Sequence, residues 1–125
     1  MSIYADCFLP IMATVTVKMN VCEKTHKITV LQRDDGDLDV LIESDCPKVA
    51  AFGERLNKLS LTDITDFGSS KINDPKIRGN ISPTCLSSTG VFNAAWIEME
   101  MMSRSLIKKV RHNSIDFVGD DGEVL

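Results

Sequence analysis

The stretch ATVTVKMNVCEKTHKITVLQRDDGDLDVLIE, residues 13–43, decides the fold of this chain. Every second residue of 13–19 is apolar and the residues between are polar, a period of two that is typical of a half-buried β-strand. The same alternation returns over 25–32 and over 38–43. Because Asp35-Gly36 favours a tight hairpin and the other connection is also short, the stretch predicts an antiparallel meander of three strands.

Two helices are predicted after the meander. Pro47 suits the first turn of a helix, and apolar residues at helical spacing extend this helix to about Lys58. A longer helix is predicted over 88–110, and the segment 115–117 indicates a short strand, whereas 60–84 shows no regular period. We therefore expect an α+β fold: a three-stranded antiparallel meander followed by two helices packed on one face, plus a short fourth C-terminal strand.

The length of 125 residues fits one domain with one hydrophobic core. We expect residues 1–11 to form a flexible N-terminal arm, 12–118 a single α+β domain, and 119–125 an acidic C-terminal tail. The arm has neither the basic start nor the apolar run of a signal peptide, and no apolar run in the chain has the length of a membrane span. Four cysteines without a secretion signal favour a reducing compartment, so we expect a cytoplasmic protein.

The charge of the chain limits the class of its partners. A net charge of −4 and a pI near 5.1 argue against a nucleic-acid partner, because phosphate binding needs a basic face. We expect no membrane partner either. A protein partner or a homodimer fits the sequence, through an exposed sheet edge or through the methionine-rich part of the second helix, residues 99–102.

Three cysteines are predicted to lie at one end of the sheet. Cys22 is in the turn between the first two strands and Cys46 follows the third strand, so hairpin parity brings both to the same end. Cys85 precedes the second helix and joins them if the irregular connection returns the chain to that end. Cys46 and Cys85 also stand at predicted helix N-termini, where free N–H groups and the helix dipole favour a thiolate.

Clustered thiolates predict a site for zinc or for an iron–sulfur cluster. A tetrahedral site needs a fourth ligand besides the three cysteines. His26, near the same end of the second strand, is our first choice, and Glu23, Asp45 or water are alternatives. The competing interpretation is that His26 is an ordinary exposed strand residue between Thr25 and Lys27.

The order of strands, cysteines and helices resembles the scaffold proteins of iron–sulfur cluster assembly. In that family three cysteines at the end of a three-stranded sheet hold a nascent cluster or a zinc ion, and the resemblance implies Cys22, Cys46 and Cys85 as the matching positions. The segment Ser44-Asp45-Cys46-Pro47, with Cys85 before a long helix, is also similar to an uncharacterised family of small prokaryotic proteins. That second resemblance implies no function.

Three classes of function fit these residues. The first is a non-enzymatic thiolate protein that stores, scaffolds or transfers zinc or an iron–sulfur cluster. The second is a thiol-dependent redox enzyme with Cys46 as its nucleophile, because Pro47 fixes the helix start beside it. The third is a non-enzymatic interaction or regulatory module with buried structural cysteines, which are common. The chain has no Cys-x-x-Cys pair, which excludes the zinc-ribbon and thioredoxin patterns, and we expect a protein that is not an enzyme.

Overall fold

The computed structural model, which describes residues 13–125, contains one antiparallel sheet in the order β1-β2-β3-β4. Val15 lies opposite Ile28, and Ile28 lies opposite Ile42, so the alternating apolar residues of the three long strands share one face. The predicted meander and the α+β class are confirmed. The strands are β1 (Ala13–Met19), β2 (Lys24–Gln32), β3 (Leu38–Ser44) and β4 (Lys58–Leu59).

The two longest helices cover the apolar face of the sheet. Gly53 of the first long helix lies against Ile42 of β3, and Gly90 of the second lies against Val17 and Ile28 of β1 and β2. Two helices on one face are therefore confirmed. In chain order the helices of residues 13–125 are α1 (Pro47–Leu56), α2 (Leu61–Thr65), α3 (Pro75–Arg78), α4 (Ser87–Glu98) and α5 (Arg104–Val110), with 3₁₀ turns at Phe67–Ser69 and Lys71–Asn73.

A single apolar core lies between the sheet and its helices. Phe52 and Leu56 of α1, together with Val91 of α4, are fully buried there. Both helices start at the end of the sheet that carries the β1–β2 turn, because α1 follows β3 directly and the residue before α4 contacts Met19 at the end of β1. That end of the sheet, with two helix N-termini beside it, is where the predicted site lies.

The fourth strand differs from the predicted one. β4 follows α1 and pairs with the start of β3, and its Leu59 is buried in the core. Ile115 and Phe117, predicted to form this strand, are exposed and lie in no strand, and the bridge in this region joins Val118 to Val124. Alternating apolar residues form a strand only where they can pair with a free sheet edge and pack on an apolar surface. Here the edge of β3 is already paired with β4.

The long helix predicted over 88–110 is divided into α4 and α5. Glu100 adopts a left-handed conformation with φ of +59°, and the Met101 N–H donates to the Trp96 carbonyl at 2.8 Å. This is the Schellman pattern that ends a helix, here without the glycine that usually supplies it. Ser103 then caps α5 with its side-chain oxygen. Apolar residues therefore continue at helical spacing across the break, and the sequence pattern does not show that the helix ends there.

The connection over 60–84 is more ordered than its sequence predicts. Ser60 and Asp63 form a reciprocal capping box at the start of α2, with the Ser60 N–H donating to the Asp63 carboxylate at 2.9 Å. The same carboxylate accepts the Lys71 N–H at 3.1 Å, which holds the second 3₁₀ turn against α2.

The predicted arm over 1–11 lies outside the described residues. None of the helices in 13–125 has the length and apolar character to cross a bilayer.

Candidate functional site

The structure places the three predicted cysteines at the same end of the sheet. Cys22 lies in the β1–β2 turn, and Cys46 is the N-cap of α1, directly after β3. Cys85 lies beside the end of β1, because the N–H of its neighbour Leu86 points at the Met19 sulfur at 3.5 Å. The irregular connection therefore returns the chain to the end at which the other two cysteines lie.

The surroundings of the three thiols differ. Cys22 is exposed, and its Sγ lies 3.7 Å from the Met19 carbonyl oxygen. Cys46 and Cys85 are half-buried and pack against the hydrophobic core, with the Cys85 Sγ 3.2 Å from the Ser87 hydroxyl. Among residues 13–125, no set of three or more His, Cys, Asp or Glu side chains is arranged to hold a metal ion.

His26 is buried, not an exposed strand residue. Its side chain is 1% exposed, and its Nδ1 lies 2.7 Å from the Ser44 hydroxyl, which also accepts the Cys46 N–H at 2.9 Å. His26 has the same strand parity as Ile28 and Val30, and this parity was the available signal that it faces the core. The exposed interpretation of His26 is therefore wrong.

The second ring nitrogen of His26 is left unbonded by the described residues. Nε2 is buried and makes no hydrogen bond to any part of the chain that the structure describes. None of Cys22, Cys46 and Cys85 is therefore hydrogen-bonded to this nitrogen, so among residues 13–125 the nucleophile–base pair that a Cys-dependent enzyme requires is not preformed at His26. The contact with Ser44 fixes the ring in place between β1 and β3.

Burial lowers the pKa of His26 from its ordinary value of 6.5, and the negative charge of Asp45 only partly opposes this effect. At neutral pH the folded protein therefore holds a neutral imidazole. Below pH 6.5 the unfolded chain takes up a proton at this position more readily than the folded chain does. His26 thus reduces the stability of the fold as the pH falls through this range.

We expect this effect to be measurable as a difference between variants. The free energy of unfolding of the wild-type protein should fall between about pH 7.5 and about pH 5 more steeply than that of His26→Gln, because the variant lacks the group that titrates. Urea unfolding at several pH values measures the difference. His112→Gln is the matched control, because His112 is exposed. Equal pH slopes for wild type and His26→Gln would contradict the prediction.

A second feature, which the sequence did not predict, is an apolar groove between α4 and the first 3₁₀ turn. We call it the aromatic groove. Phe67 is 69% exposed and stacks on Phe92 with ring centroids 5.3 Å apart, and Trp96 is 37% exposed beside them. The groove is open to solvent, has a volume of about 310 Å³ and is lined by Ile64, Thr65, Phe67, Thr89, Phe92, Asn93, Trp96 and Met102.

Residues of the aromatic groove are hydrogen-bonded to neighbouring segments of the chain. The Trp96 indole N–H donates to the Ile64 carbonyl at 2.8 Å, and the Asn73 side chain donates to the Phe67 carbonyl at 2.9 Å. The Asn93 amide is also engaged, because it donates to the Thr89 carbonyl at 2.9 Å. None of the lining residues is ionisable. The groove therefore offers apolar area and few free hydrogen-bond donors.

Comparison with known proteins identifies one family. The sequence family DUF6951, described as a family of unknown function, matches residues 13–110 of the chain. This range runs from the start of β1 to the end of α5 and so contains the cysteine end of the sheet and the aromatic groove. No curated protein matches the chain significantly, and no solved structure does.

Proposed function

The chain belongs to DUF6951, a family of unknown function, and we propose from its geometry that it is a non-enzymatic interaction module that binds an apolar segment of a partner protein in the aromatic groove. The observation that carries this proposal is the exposure of Phe67 in a stack with Phe92, next to Trp96. A single exposed apolar residue is ordinary, but contiguous aromatic side chains on a surface mark interaction sites.

The energetics of burial support an occupant for this groove. Covering apolar surface gains about 25 cal/mol per Å², and an aromatic side chain buries some 150–250 Å² when it is fully covered. Phe67 alone, 69% exposed, could therefore gain about 2.5–4 kcal/mol of burial free energy when a partner covers it. Because Trp96 and the Phe67–Phe92 stack are already fixed by contacts, binding would cost little ordering entropy on this side.

The chemistry of the lining favours an apolar polypeptide segment as the occupant. No charged group lines the groove, so a phosphate or carboxylate ligand would be desolvated without a counter-charge. The Trp96 donor and one of the two Asn93 amide protons are already used within the chain, so polar small molecules find few partners. A segment that inserts two or three apolar side chains matches a groove of this size, and aromatic anchors of this kind dominate protein interfaces.

The metal and redox hypotheses are less well supported by the geometry. Zinc or an iron–sulfur cluster held by Cys22, Cys46, Cys85 and His26 stays a prediction, and within the described range 13–125 these side chains do not form a group of ligands. Redox chemistry at Cys46 also stays a prediction. The half-buried Cys46 and Cys85, packed on the core, fit the structural role that the interaction hypothesis assigns to them.

Peptides selected from a random display library against the wild-type protein test the proposal. We expect the selected peptides to share spaced Leu, Ile or Phe residues without a charge between them. Their binding should shift the emission of Trp96, the only tryptophan in the chain. Phe67→Ala should weaken binding by about tenfold or more, the effect of losing an anchor worth about 1.4 kcal/mol.

The matched control is Leu106→Ala, because Leu106 is 56% exposed on α5 and lies outside the groove. This variant should bind the peptides as the wild type does. Equal weakening by both substitutions, or peptides anchored by charged residues, would refute the proposal. If Phe67→Ala instead abolishes self-association seen by light scattering, the occupant is a second copy of the chain and the partner assignment is wrong.

A further inference from the structure

The chain enters β1 beside the end of α4 that carries the aromatic groove. Glu98, the last residue of α4, accepts the Ala13 N–H at 3.2 Å with one carboxylate oxygen and the Gln32 N–H at 2.9 Å with the other. Its side chain is only 8% exposed, so solvent competes little for these bonds. Ala13 is therefore held next to the last turn of α4, close in the chain to Trp96 and Met102 of the groove.

From this position we infer, on the basis of the proposed function, that residues 8–12 of the same chain occupy the aromatic groove and compete there with the partner segment. These residues, Phe-Leu-Pro-Ile-Met, directly precede Ala13. The sequence alone predicts a flexible arm over 1–11, whereas the groove offers the last part of this arm a binding surface.

The composition of residues 8–12 matches the lining of the groove. All five residues are apolar, and the one charged side chain in 1–12, Asp6, lies outside this run. None of the lining residues is ionisable, so neither side loses the hydration of a charge on contact. Pro10 also restricts the free segment, which lowers the conformational entropy that it loses on binding.

The length of the connection allows this contact. Trp96 and Glu98 are two residues apart on α4 and so lie on nearly opposite sides of the helix, because each residue turns a helix by about 100°. A path half-way around a helix of about 10–12 Å diameter is roughly 17 Å long. The five residues from Phe8 to Ala13 also span roughly 17 Å when extended, and the Phe8 ring reaches beyond its own Cα. Phe8 is therefore within reach of the groove.

A tethered segment in the groove lowers the apparent affinity of any partner. A short flexible tether gives an effective concentration on the order of 1 mM. A segment with a dissociation constant of about 0.1 mM would then leave the groove free in roughly one molecule in ten. A partner segment therefore binds the wild-type chain about tenfold more weakly than it binds a chain whose residues 8–12 cannot enter the groove.

Photo-cross-linking in the full chain tests where the segment lies. Phe8 is replaced by the photoreactive p-benzoylphenylalanine, the dilute protein is irradiated, and the linked peptides are identified by mass spectrometry. We expect links within one chain to residues of the groove, chiefly Phe67, Trp96 or Met102. The same label at Ser2, outside residues 8–12, is the matched control and should not favour the groove. Links from position 8 to other surfaces, or only between two chains, would overturn the inference.

Phe8→Asp gives a second measurement on the full chain, because a carboxylate cannot enter an uncharged apolar groove without losing its hydration. We expect Trp96 to emit at longer wavelength and to be quenched more by iodide than in the wild type. The peptides selected from the display library should bind this variant about tenfold more tightly. Ser2→Asp, which adds the same charge outside residues 8–12, should behave as the wild type does. Unchanged Trp96 emission together with unchanged peptide affinity in Phe8→Asp would overturn the inference.

The outcomes distinguish a failure of this inference from a failure of the proposed function. Peptides that bind the wild type and Phe8→Asp equally, and that need Phe67, would leave the proposed function standing and overturn occupation by residues 8–12. Cross-links from position 8 to the groove, with no peptide binding even to Phe8→Asp, would support residues 8–12 as the occupant and overturn the partner.

Discussion

Phe52→Ala is expected to lower the free energy of unfolding by about 3–5 kcal/mol, the cost of emptying a fully buried aromatic position. Phe52 is 0% exposed on α1 and belongs to the core between α1, α4 and the sheet. A domain of this size is stabilised by about 5–15 kcal/mol in total, so the variant should lose a large part of its stability. Urea unfolding followed by far-UV circular dichroism measures the change.

Phe67→Ala makes the same substitution at a position that is 69% exposed, and it serves as the control. Its cost should be limited to about 0.5–1.5 kcal/mol, because the residue loses its stacking on Phe92 and little buried area. If Phe67→Ala were as destabilising as Phe52→Ala, the groove would be part of the core, and the interaction proposal would lose its basis. A small loss for Phe52→Ala would contradict the core described above.

The sequence predicted the sheet well because its signal is local. The period of two in β1, β2 and β3 specifies which face of each strand is buried, and short turns specify which strands are neighbours. The same rule places His26 on the buried face with Ile28, so its burial was within reach of the sequence. Whether its Nε2 finds a partner among residues 13–125 was not, because that depends on which side chains from other segments come close to the ring.

The features that the sequence did not reveal depend on tertiary contacts. β4 has two residues, too few to show a period, and it exists because the chain passes the edge of β3 after α1. At the break between α4 and α5, Glu100 occupies the left-handed position where a glycine would have made the helix end recognisable in the sequence. In both cases the local pattern identified a helix correctly but did not show where that helix ends.

The candidate sites show the same difference between features set by local patterns and features set by tertiary contacts. Chain parity was sufficient to bring Cys22 and Cys46 to one end of the sheet, but the position of Cys85 depends on the course of 60–84, which has no periodic pattern. The alternation placed Met19 on the apolar face of β1, but its contact with Leu86 at the start of α4 could not be predicted from it. The aromatic groove joins Phe67, from that same irregular segment, to Phe92 of α4. Both candidate features therefore lie where segments distant in sequence meet.

Gly90→Val is expected to destabilise the fold by about 1–3 kcal/mol, the usual cost of overpacking a core. A Cβ atom at Gly90 would lie 2.6 Å from a methyl group of Val17 and 2.7 Å from the Cδ1 of Ile28. Val17 is branched at Cβ and stiff in its strand, and Ile28 is fully buried, so neither gives way easily. Replacing glycine in a helix recovers less than about 1 kcal/mol of helix propensity, so the steric cost prevails.

Thr89→Val is the matched control, since it introduces the same side chain one position earlier, at an exposed site on α4. Its effect should stay within about 0.5 kcal/mol, as is usual for surface substitutions. The urea midpoints of both variants measure the difference. Because only the new side chain at position 90 meets the sheet, a loss for Gly90→Val no larger than that for Thr89→Val would show that α4 does not lie on β1 and β2 at this distance. The packing of α4 also sets the place of Trp96, so the aromatic groove depends on this result.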